Sequence, residues 1–275
     1  MNTLETMLRE TSVSQELYHP TIREIRAFQS PELVSFAGAW RMTEQVFNQP
    51  NSHIGFATGV SMEQMLACAV EMKHQYGIDY SRVRASHLDE RYPIAPDHPS
   101  GFAKYVRDRA VMPLGINASN VLYWNGMAKD PYAEADRIEA YLQENPVDFQ
   151  FLGIGPPGKP EPGKNIHIAF VQQGTPFETG CHVVGRLGQE TLEREKDRGE
   201  EVPEGALTQG PADIARAKTK VLLAFGAQKG ISLYHALYGP ITTDCPASAL
   251  QTFGESLSIY MDAACYESLK QQMEP

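Results

Sequence analysis

Segments with the apolar pattern of buried strands alternate with segments of helical pattern along most of this 275-residue chain. Strands are predicted near residues 21–28, 53–58, 83–88, 121–124, 148–154, 166–171, 220–225 and 256–261. Helices are predicted near residues 31–46, 61–75, 101–110, 131–145, 228–237 and 262–271. Because parallel strands need helix-sized connections, this alternation predicts an α/β fold, a doubly wound, mostly parallel sheet with helices on both faces. Ligands of such sheets bind beyond the carboxyl ends of the strands.

Charge and composition narrow the classes of function. The formal net charge is -10 and no basic stripe offsets it, so we expect no binding to nucleic acid. No leader and no apolar stretch of about 18 residues is visible, which predicts a cytoplasmic protein without a membrane segment. We expect one domain over residues 1–275, with the mixed-charge run Glu190–Glu201 as a solvated surface helix or loop.

The cysteines and histidines lack the spacing of metal ligands. Cys68, Cys181, Cys245 and Cys265 form no C-x-x-C pair, and the eight histidines form no H-E-x-x-H motif. We therefore predict scattered thiols and no catalytic metal.

Two predicted turns between a strand and a helix are suited to an anion. Thr58, Gly59 and Ser61 lie in the first, and Gly226 begins the second, with Lys229 one turn into the helix. Free N–H groups and the helix dipole favour a phosphate at such turns. Neither turn has the spacing of a nucleotide-binding loop, and Ser61 also opens a capping-box pattern, so a plain role as helix cap stays open.

Asp89 is the first candidate for a catalytic base, because acidic residues at the end of a buried strand are costly for packing. In the alternative interpretation, Asp89 or Glu90 pairs with Arg91 or caps the next turn. His167 is the second candidate, although a histidine within an apolar strand, here predicted at 166–171, is often a hydrogen-bonded core residue.

Taken together, these residues resemble the glucosamine-6-phosphate deaminase family, whose sister branch is 6-phosphogluconolactonase. The resemblance runs from about Gly55 to Ala264 and rests on several blocks in order: Ala57-Thr58-Gly59, Leu88-Asp89-Glu90, Pro96-Asp97-His98-Pro99, Gly153-Ile154-Gly155, His167-Ile168-Ala169-Phe170, Ala206-Leu207-Thr208, Gly226-Ala227-Gln228-Lys229 and Pro246-Ala247-Ser248-Ala249-Leu250-Gln251.

The resemblance implies a Rossmann-like fold of the sugar-phosphate isomerase type, a sugar phosphate as ligand and no cofactor. It implies a phosphate held by four residues: Thr58, Gly59, Ser61 and Lys229. Asp89 would move the proton between C1 and C2 of the sugar, and His167 would assist ring opening. In deaminases this transfer converts an aldose amine to a ketose imine, which water hydrolyses to the ketose phosphate and ammonia.

The chain departs from the family at the ring-opening relay. Asn165 and Gln172 stand where deaminases have an aspartate two residues before the histidine and a glutamate five residues after it. An amide holds hydrogen bonds but cannot accept and return a proton. A longer insert, Pro156–Lys164, precedes the histidine, either as a lid or as a surface insertion, and its Glu161 is a candidate substitute acid.

Three functions therefore remain open. The first is a sugar-phosphate isomerase or deaminase of carbohydrate metabolism acting through Asp89. The second is a lactonase-like hydrolase, which the Asp89-Glu90-Arg91 run favours. The third is a sugar-phosphate-binding protein without catalysis. The sequence leaves the number of subunits open, a homo-oligomer included.

Overall fold

The computed structural model describes residues 15–158, 161–189, 191–193 and 203–274. Its strands are β1 (Gln15–Leu17), β2 (Glu24–Phe28), β3 (His53–Phe56), β4 (Arg84–His87), β5 (Asp89–Tyr92), β6 (Val121–Leu122), β7 (Phe149–Leu152), β8 (His182–Val184), β9 (Gly205–Thr208), β10 (Thr219–Ala224) and β11 (Leu257–Asp262). Its helices are α1 (Pro31–Asn48), α2 (Val60–Tyr76), α3 (Phe102–Val106), α4 (Met112–Leu114), α5 (Pro131–Glu144), α6 (Pro211–Arg216), α7 (Ala227–Tyr238) and α8 (Ala263–Met273). Short 3₁₀ helices lie at Ala118–Asn120, Pro246–Thr252 and Gly254–Ser256.

The larger sheet has eight strands in the order β1-β2-β11-β10-β7-β3-β4-β6. Every neighbouring pair in it is parallel except β1 with β2. α1 packs on α2, and α7 packs on α8. α1 and α2 connect β2 to β3 and β3 to β4, and these crossovers run one way along the sheet, whereas α7 connects β10 to β11 and runs the other way. Right-handed connections therefore put α7, with α8 packed on it, on the opposite face from α1 and α2. The predicted doubly wound, mostly parallel sheet is confirmed.

The direction of winding reverses between β7 and β3. After β3 the chain adds β4 on one side, and after β7 it adds β10 on the other. Ligands of open α/β sheets bind at the carboxyl ends of the strands at such a switch point. Gly55 of β3 is packed here against Gln150 of β7, since a Cβ at Gly55 would lie 2.0 Å from the Gln150 Oε1.

A second, antiparallel sheet in the order β5-β9-β8 was not predicted. Its strands have only three or four residues each, and β5 follows β4 after the single residue Leu88. Such short segments carry too little periodicity to be recognised in a sequence. On one face, Val184 and Ala206 pack with Phe170, while Leu207 of the other face packs in the cluster around Trp124.

Two predicted local structures are wrong. Residues 166–171 form turns rather than a strand, because the segment bends at Asn165 and Ala169, which have positive φ angles of 54° and 48°. α2 begins at Val60 with Gly59 as its N-cap, so Ser61 lies in the first turn and does not cap the helix. At α1 the predicted cap is correct, since Ser30 Oγ accepts a hydrogen bond from Leu33 N–H at 3.4 Å.

The helix predicted over 101–110 changes type along its length. α3 continues as a π-helical stretch, Arg107–Val111, before α4. Most of the charged run Glu190–Glu201 lies outside the described residues. Among the helices that are described, none combines the length and the apolar character that a membrane crossing requires.

Candidate active site

Three neighbouring strands end at the switch point and lead into predicted site segments. β3 leads into Thr58 and Gly59, β7 into Gly153, and β10 into Gly226. Gly59 and Gly226 are the N-caps of α2 and α7, with positive φ angles of 103° and 82° that glycine adopts at little steric cost. Two helix N termini, which favour an anion, therefore meet at one edge of the sheet.

The turn after β3 keeps the features of an anion site. Within the part of the chain that the structure describes, no side chain caps α2 at Gly59, and both Thr58 and Ser61 are half-buried beside the first helical turn. The Tyr105 hydroxyl donates a hydrogen bond of 2.9 Å to the Gly59 carbonyl and so holds the turn from α3. Thr58, Gly59 and Ser61 are brought together here, although Ser61 is not the helix cap.

The turn after β10 differs from the expectation of an open anion site. Both carboxylate oxygens of Asp262 accept a hydrogen bond from the Gly226 N–H at 3.0 Å. One of them also accepts from Cys265 N–H at 2.8 Å, which caps α8. A carboxylate of the protein itself therefore satisfies the first amide of this turn.

Lys229 reaches from α7 to the end of β7. Its Nζ donates a hydrogen bond to the Ile154 carbonyl, and one turn later Ser232 Oγ donates to the Gly155 carbonyl at 2.8 Å. The first two turns of α7 thus bind the segment that follows β7. The ammonium group of Lys229 lies at the switch point, where the sequence predicted a phosphate contact.

Asp89 is the first residue of β5 and lies at the carboxyl end of β4. Its side chain is only 6% exposed, and the described residues supply no hydrogen-bond donor to its carboxylate. Burial raises the pKa of Asp89 to about 8; the charge of Glu90 raises it further, while Arg91 acts in the opposite direction. A carboxyl group of this kind exchanges its proton near neutral pH.

Of the two adjacent acids, Asp89 and Glu90, it is Glu90 that caps the next turn. Its carboxylate accepts hydrogen bonds from the backbone N–H groups of Arg91, Phe102 and Ala103 at 2.9, 2.8 and 2.6 Å. It therefore satisfies amides at the N terminus of α3. The Arg91 guanidinium lies 5.1 Å from the centre of the Phe102 ring.

His87, which the sequence analysis does not name as a candidate, binds the backbone of Asp89. Its Nδ1–H donates to the Asp89 carbonyl at 2.8 Å, and its Nε2 accepts from Trp124 N–H at 3.4 Å. Burial lowers the pKa of His87, so the neutral ring is favoured. The only indication of this role in the sequence is that His87 lies two residues before Asp89.

The His167 ring lies against Gly155, which explains the glycine in the Gly153-Ile154-Gly155 motif. A Cβ at Gly155 would lie 2.7 Å from the His167 Cε1. The Gly155 N–H also donates a hydrogen bond of 2.8 Å to the His167 carbonyl. The segment that carries His167 therefore lies against the backbone that follows β7, although the insert Pro156–Lys164 separates the two in sequence.

Thr208 connects the His167 segment to the strand of Asp89. Asp89 and Thr208 are directly opposite in the antiparallel β5–β9 pair, so their side chains share one face of the second sheet. On that face, Thr208 Oγ1 accepts a hydrogen bond from the Phe170 N–H at 3.2 Å. Phe170 lies three residues after His167, so the two catalytic candidates lie on facing segments.

Asn165 and Gln172 both lie beside Gly188. The Gly188 N–H donates to Gln172 Oε1, and Gln172 Nε2 donates to the Phe170 carbonyl, each at 3.0 Å. A Cβ at Gly188 would lie 3.2 Å from Asn165 Nδ2. The Gln172 amide thus binds the backbone at both of its ends and cannot accept and return a proton as a carboxylate does.

The insert Pro156–Lys164 runs along α7 over its described part. Glu161 forms an ion pair of 2.9 Å with Lys164 and is well exposed. Gly163 packs on His235, because a Cβ there would lie 2.8 Å from the His235 Nδ1. In the described residues, no group of three or more His, Cys, Asp or Glu side chains could hold a metal ion.

Comparisons with known proteins identify the family of this chain. Residues 38–159 match the family model described as glucosamine-6-phosphate isomerases/6-phosphogluconolactonase. A glucosamine-6-phosphate deaminase of Streptococcus agalactiae is 32% identical over 229 residues, which is 82% of this chain and 92% of that protein. One of Lactobacillus delbrueckii subsp. bulgaricus is 34% identical over 220 residues, covering 79% and 87%.

Solved structures give the same result at the level of the fold. A monomeric glucosamine-6-phosphate deaminase superposes with a TM-score of 0.81 at 27% identity, over 89% of this chain and 99% of that one. The 6-phosphogluconolactonase of Trypanosoma cruzi superposes with a TM-score of 0.70 at 18% identity, over 92% and 97%.

Proposed function

Since this chain belongs to the glucosamine-6-phosphate isomerase/6-phosphogluconolactonase family of enzymes, we propose that it converts glucosamine 6-phosphate, or a related sugar phosphate, by proton transfer at Asp89. The observation that carries the proposal is the environment of Asp89. Its buried carboxyl group, with a pKa raised to about 8, faces the His167 segment across Thr208. At pH 7 about a tenth of such groups are ionised, which suits a base that also returns its proton.

The proposed chemistry is a proton shuttle between two neighbouring carbons. The ionised Asp89 removes the proton from C2 of the open-chain amino sugar. The electron pair of that C–H bond forms a double bond between C1 and C2, and the carbonyl oxygen at C1 takes up a proton from water, which gives an enolamine. Asp89 then returns the proton to C1, which gives the ketose imine. Addition of water to the imine releases ammonia and leaves the ketose phosphate.

The phosphate is proposed to bind at the switch point. The uncapped N terminus of α2 at Thr58, Gly59 and Ser61 supplies backbone N–H groups and the positive end of a long helix dipole. Lys229 adds a cation beside the Ile154 carbonyl. Together they would hold the phosphate end of the sugar while the reacting carbons reach Asp89.

His167 is proposed to assist the opening of the sugar ring. Its ring is held against Gly155, next to the turns that would bind the phosphate. The backbone-bound Gln172 supplies no acid beside it, so the proposal assigns the ionisable chemistry of ring opening to His167 alone among these residues.

A deaminase-like activity is favoured over lactone hydrolysis for one reason. The two curated relatives described above, at 32% and 34% identity, are deaminases, whereas the lactonase from Trypanosoma cruzi is similar at 18% identity and shares the fold. Titration with 6-phosphogluconate tests for the lactonase alternative.

The test is an ammonia-release assay with glucosamine 6-phosphate in deuterated water, beside a thermal-shift titration with that sugar and with 6-phosphogluconate. Ammonia release with deuterium in the product would establish deamination by proton exchange. Deuterium exchange without ammonia would establish isomerase chemistry only. Stabilisation by either ligand with no exchange would contradict catalysis at Asp89, and stabilisation by 6-phosphogluconate alone would favour the lactonase branch.

A further inference from the structure

Asp89 belongs to a closed chain of contacts between side chains and backbone groups, which also includes residues outside the predicted site. Next to Asp89 in the chain, Glu90 accepts hydrogen bonds from the Phe102 and Ala103 N–H groups at 2.8 and 2.6 Å. The Phe102 ring stacks on Phe170, with ring centres 5.6 Å apart and planes 19° apart. These contacts therefore link β5, which carries Asp89, to the segment that carries His167.

The chain of contacts closes through Thr208. The Phe170 N–H donates to Thr208 Oγ1 at 3.2 Å, and Thr208 lies directly opposite Asp89. Phe102 is thus fixed to the Asp89 strand through its backbone and to the His167 segment through its ring.

The His167 segment is held by separate contacts, among them the hydrogen bond from the Gly155 N–H to the His167 carbonyl and the contacts of Phe170. Residues 165–171 are neither helix nor strand, so no ladder of backbone hydrogen bonds fixes them to the sheet. Phe170 is 8% exposed and belongs to a small apolar cluster with Phe102 packed against it. An aromatic pair in offset stacking adds a geometric preference to plain apolar burial.

We infer that Phe102 is a positioning residue of this site, which through its ring contact with Phe170 sets the placement of the His167 segment relative to Asp89. The inference rests on the proposed function, because it assigns Phe102 to the geometry of that reaction. It assigns Phe102 no contact with the substrate.

The test replaces the ring without removing the apolar volume. Because small misplacements of reacting groups are costly, Phe102→Leu should lower kcat for glucosamine 6-phosphate by about ten-fold or more, with KM within about two-fold. Phe102→Tyr, which keeps the ring, should restore kcat to within about three-fold of wild type.

Phe36→Leu is the matched control. Phe36 is fully buried and stacks on Trp40 at 6.5 Å, in α1. It should lower the melting temperature at least as much as Phe102→Leu while leaving kcat within about two-fold of wild type. Equal losses of kcat in the two leucine variants, or an unchanged kcat in Phe102→Leu, would overturn the inference.

Hydrogen exchange separates this inference from the proposed function. Phe102→Leu should speed exchange in peptides that contain the Phe170 amide and leave peptides of β10 and β11 unchanged. If the wild-type protein does not turn over the sugar, the proposed function fails and the exchange result alone decides whether Phe102 positions the segment. Unchanged exchange at Phe170 would overturn the inference.

Discussion

The hydroxyl of Thr208 accepts a hydrogen bond of 3.2 Å from the backbone N–H of Phe170. Through this bond, a strand of the small antiparallel sheet holds the irregular segment that carries His167. Since Thr208 also lies opposite Asp89, one side chain connects both catalytic candidates.

Asp89→Asn should reduce ammonia release by about 10²- to 10⁴-fold, because the amide cannot act as a base. Affinity for glucosamine 6-phosphate, measured by thermal shift, should change little, since Asp89 makes no phosphate contact in the proposal. Substantial turnover in this variant would remove Asp89 from the role of base.

The same variant should be more stable than wild type in alkali. The pKa of Asp89 is raised from 3.8 to about 8 by burial, so this group contributes stability below about pH 4 that is lost as pH rises through 8. We expect Asp89→Asn to gain on the order of a few kcal/mol over wild type at pH 9, with the difference disappearing towards pH 4. Equal melting temperatures at pH 9 would contradict this environment.

Glu90→Gln should move the acidic limb of the pH profile to lower pH. In wild type, kcat/KM should rise with pH as Asp89 ionises, and the negative charge of Glu90 helps to keep the Asp89 pKa high. Removing that charge lowers the pKa of Asp89, so kcat/KM begins to rise at a lower pH. The exposed Glu255→Gln serves as a control with an unchanged profile; an unshifted limb in Glu90→Gln would argue against electrostatic coupling.

Lys229→Ala should weaken binding of every phosphorylated ligand by about ten- to a hundred-fold, because a charge-assisted hydrogen bond contributes roughly 1.5 to 3 kcal/mol. The matched control is Lys218→Ala. Lys218 pairs with Asp148 at the opposite end of the strands and should leave affinity unchanged. Titration calorimetry with inorganic phosphate and with glucosamine 6-phosphate measures both, and equal affinities in the two variants would exclude Lys229 from the phosphate site.

Gly155→Ala should displace the His167 ring, because the new Cβ would lie 2.7 Å from its Cε1. We expect kcat to fall by about ten-fold or more through this misplacement. Gly153→Ala is the control, since among the described residues, its own chain neighbours aside, no atom lies within 4 Å of a Cβ at that position. Similar kinetics in both variants would show that the placement of His167 is immaterial.

Gln172→Glu should lower stability by about 1 to 3 kcal/mol, because the carboxylate can no longer donate to the Phe170 carbonyl. The exposed Gln75→Glu in α2 introduces the same charge as a control and should have little effect on the melting temperature. If Gln172→Glu raises ammonia release, the amide limits the deaminase reaction; if stability is unchanged, the backbone bridge of Gln172 contributes nothing.

Much of the fold could be predicted from local pattern. Ser30 and Pro31 marked the start of α1 correctly, and the apolar run at 220–225 predicted the strand Thr219–Ala224 to within one residue. These features depend on neighbours in sequence, through capping and through periodic burial, so a single sequence contains them. The candidate positions at strand ends follow from the same reasoning, since topology alone directs strand ends to one edge.

Other features depend on contacts between distant segments, which no local pattern carries. Asp89 and Glu90 are adjacent acids, and only the packing of Phe102 and Ala103 decided that Glu90 caps a helix while Asp89 stays without a donor among the described residues. The apolar run at His167 has the pattern of a strand, but in the structure it bends. Thr208, at the end of β9, and Gly155, after β7, each form a hydrogen bond with it. The parallel sheet, its helices and the positions at the strand ends follow from local patterns in the sequence. Which candidate residues are buried or hydrogen-bonded depends on the tertiary structure, because burial and hydrogen bonding are set by the partners that folding brings together.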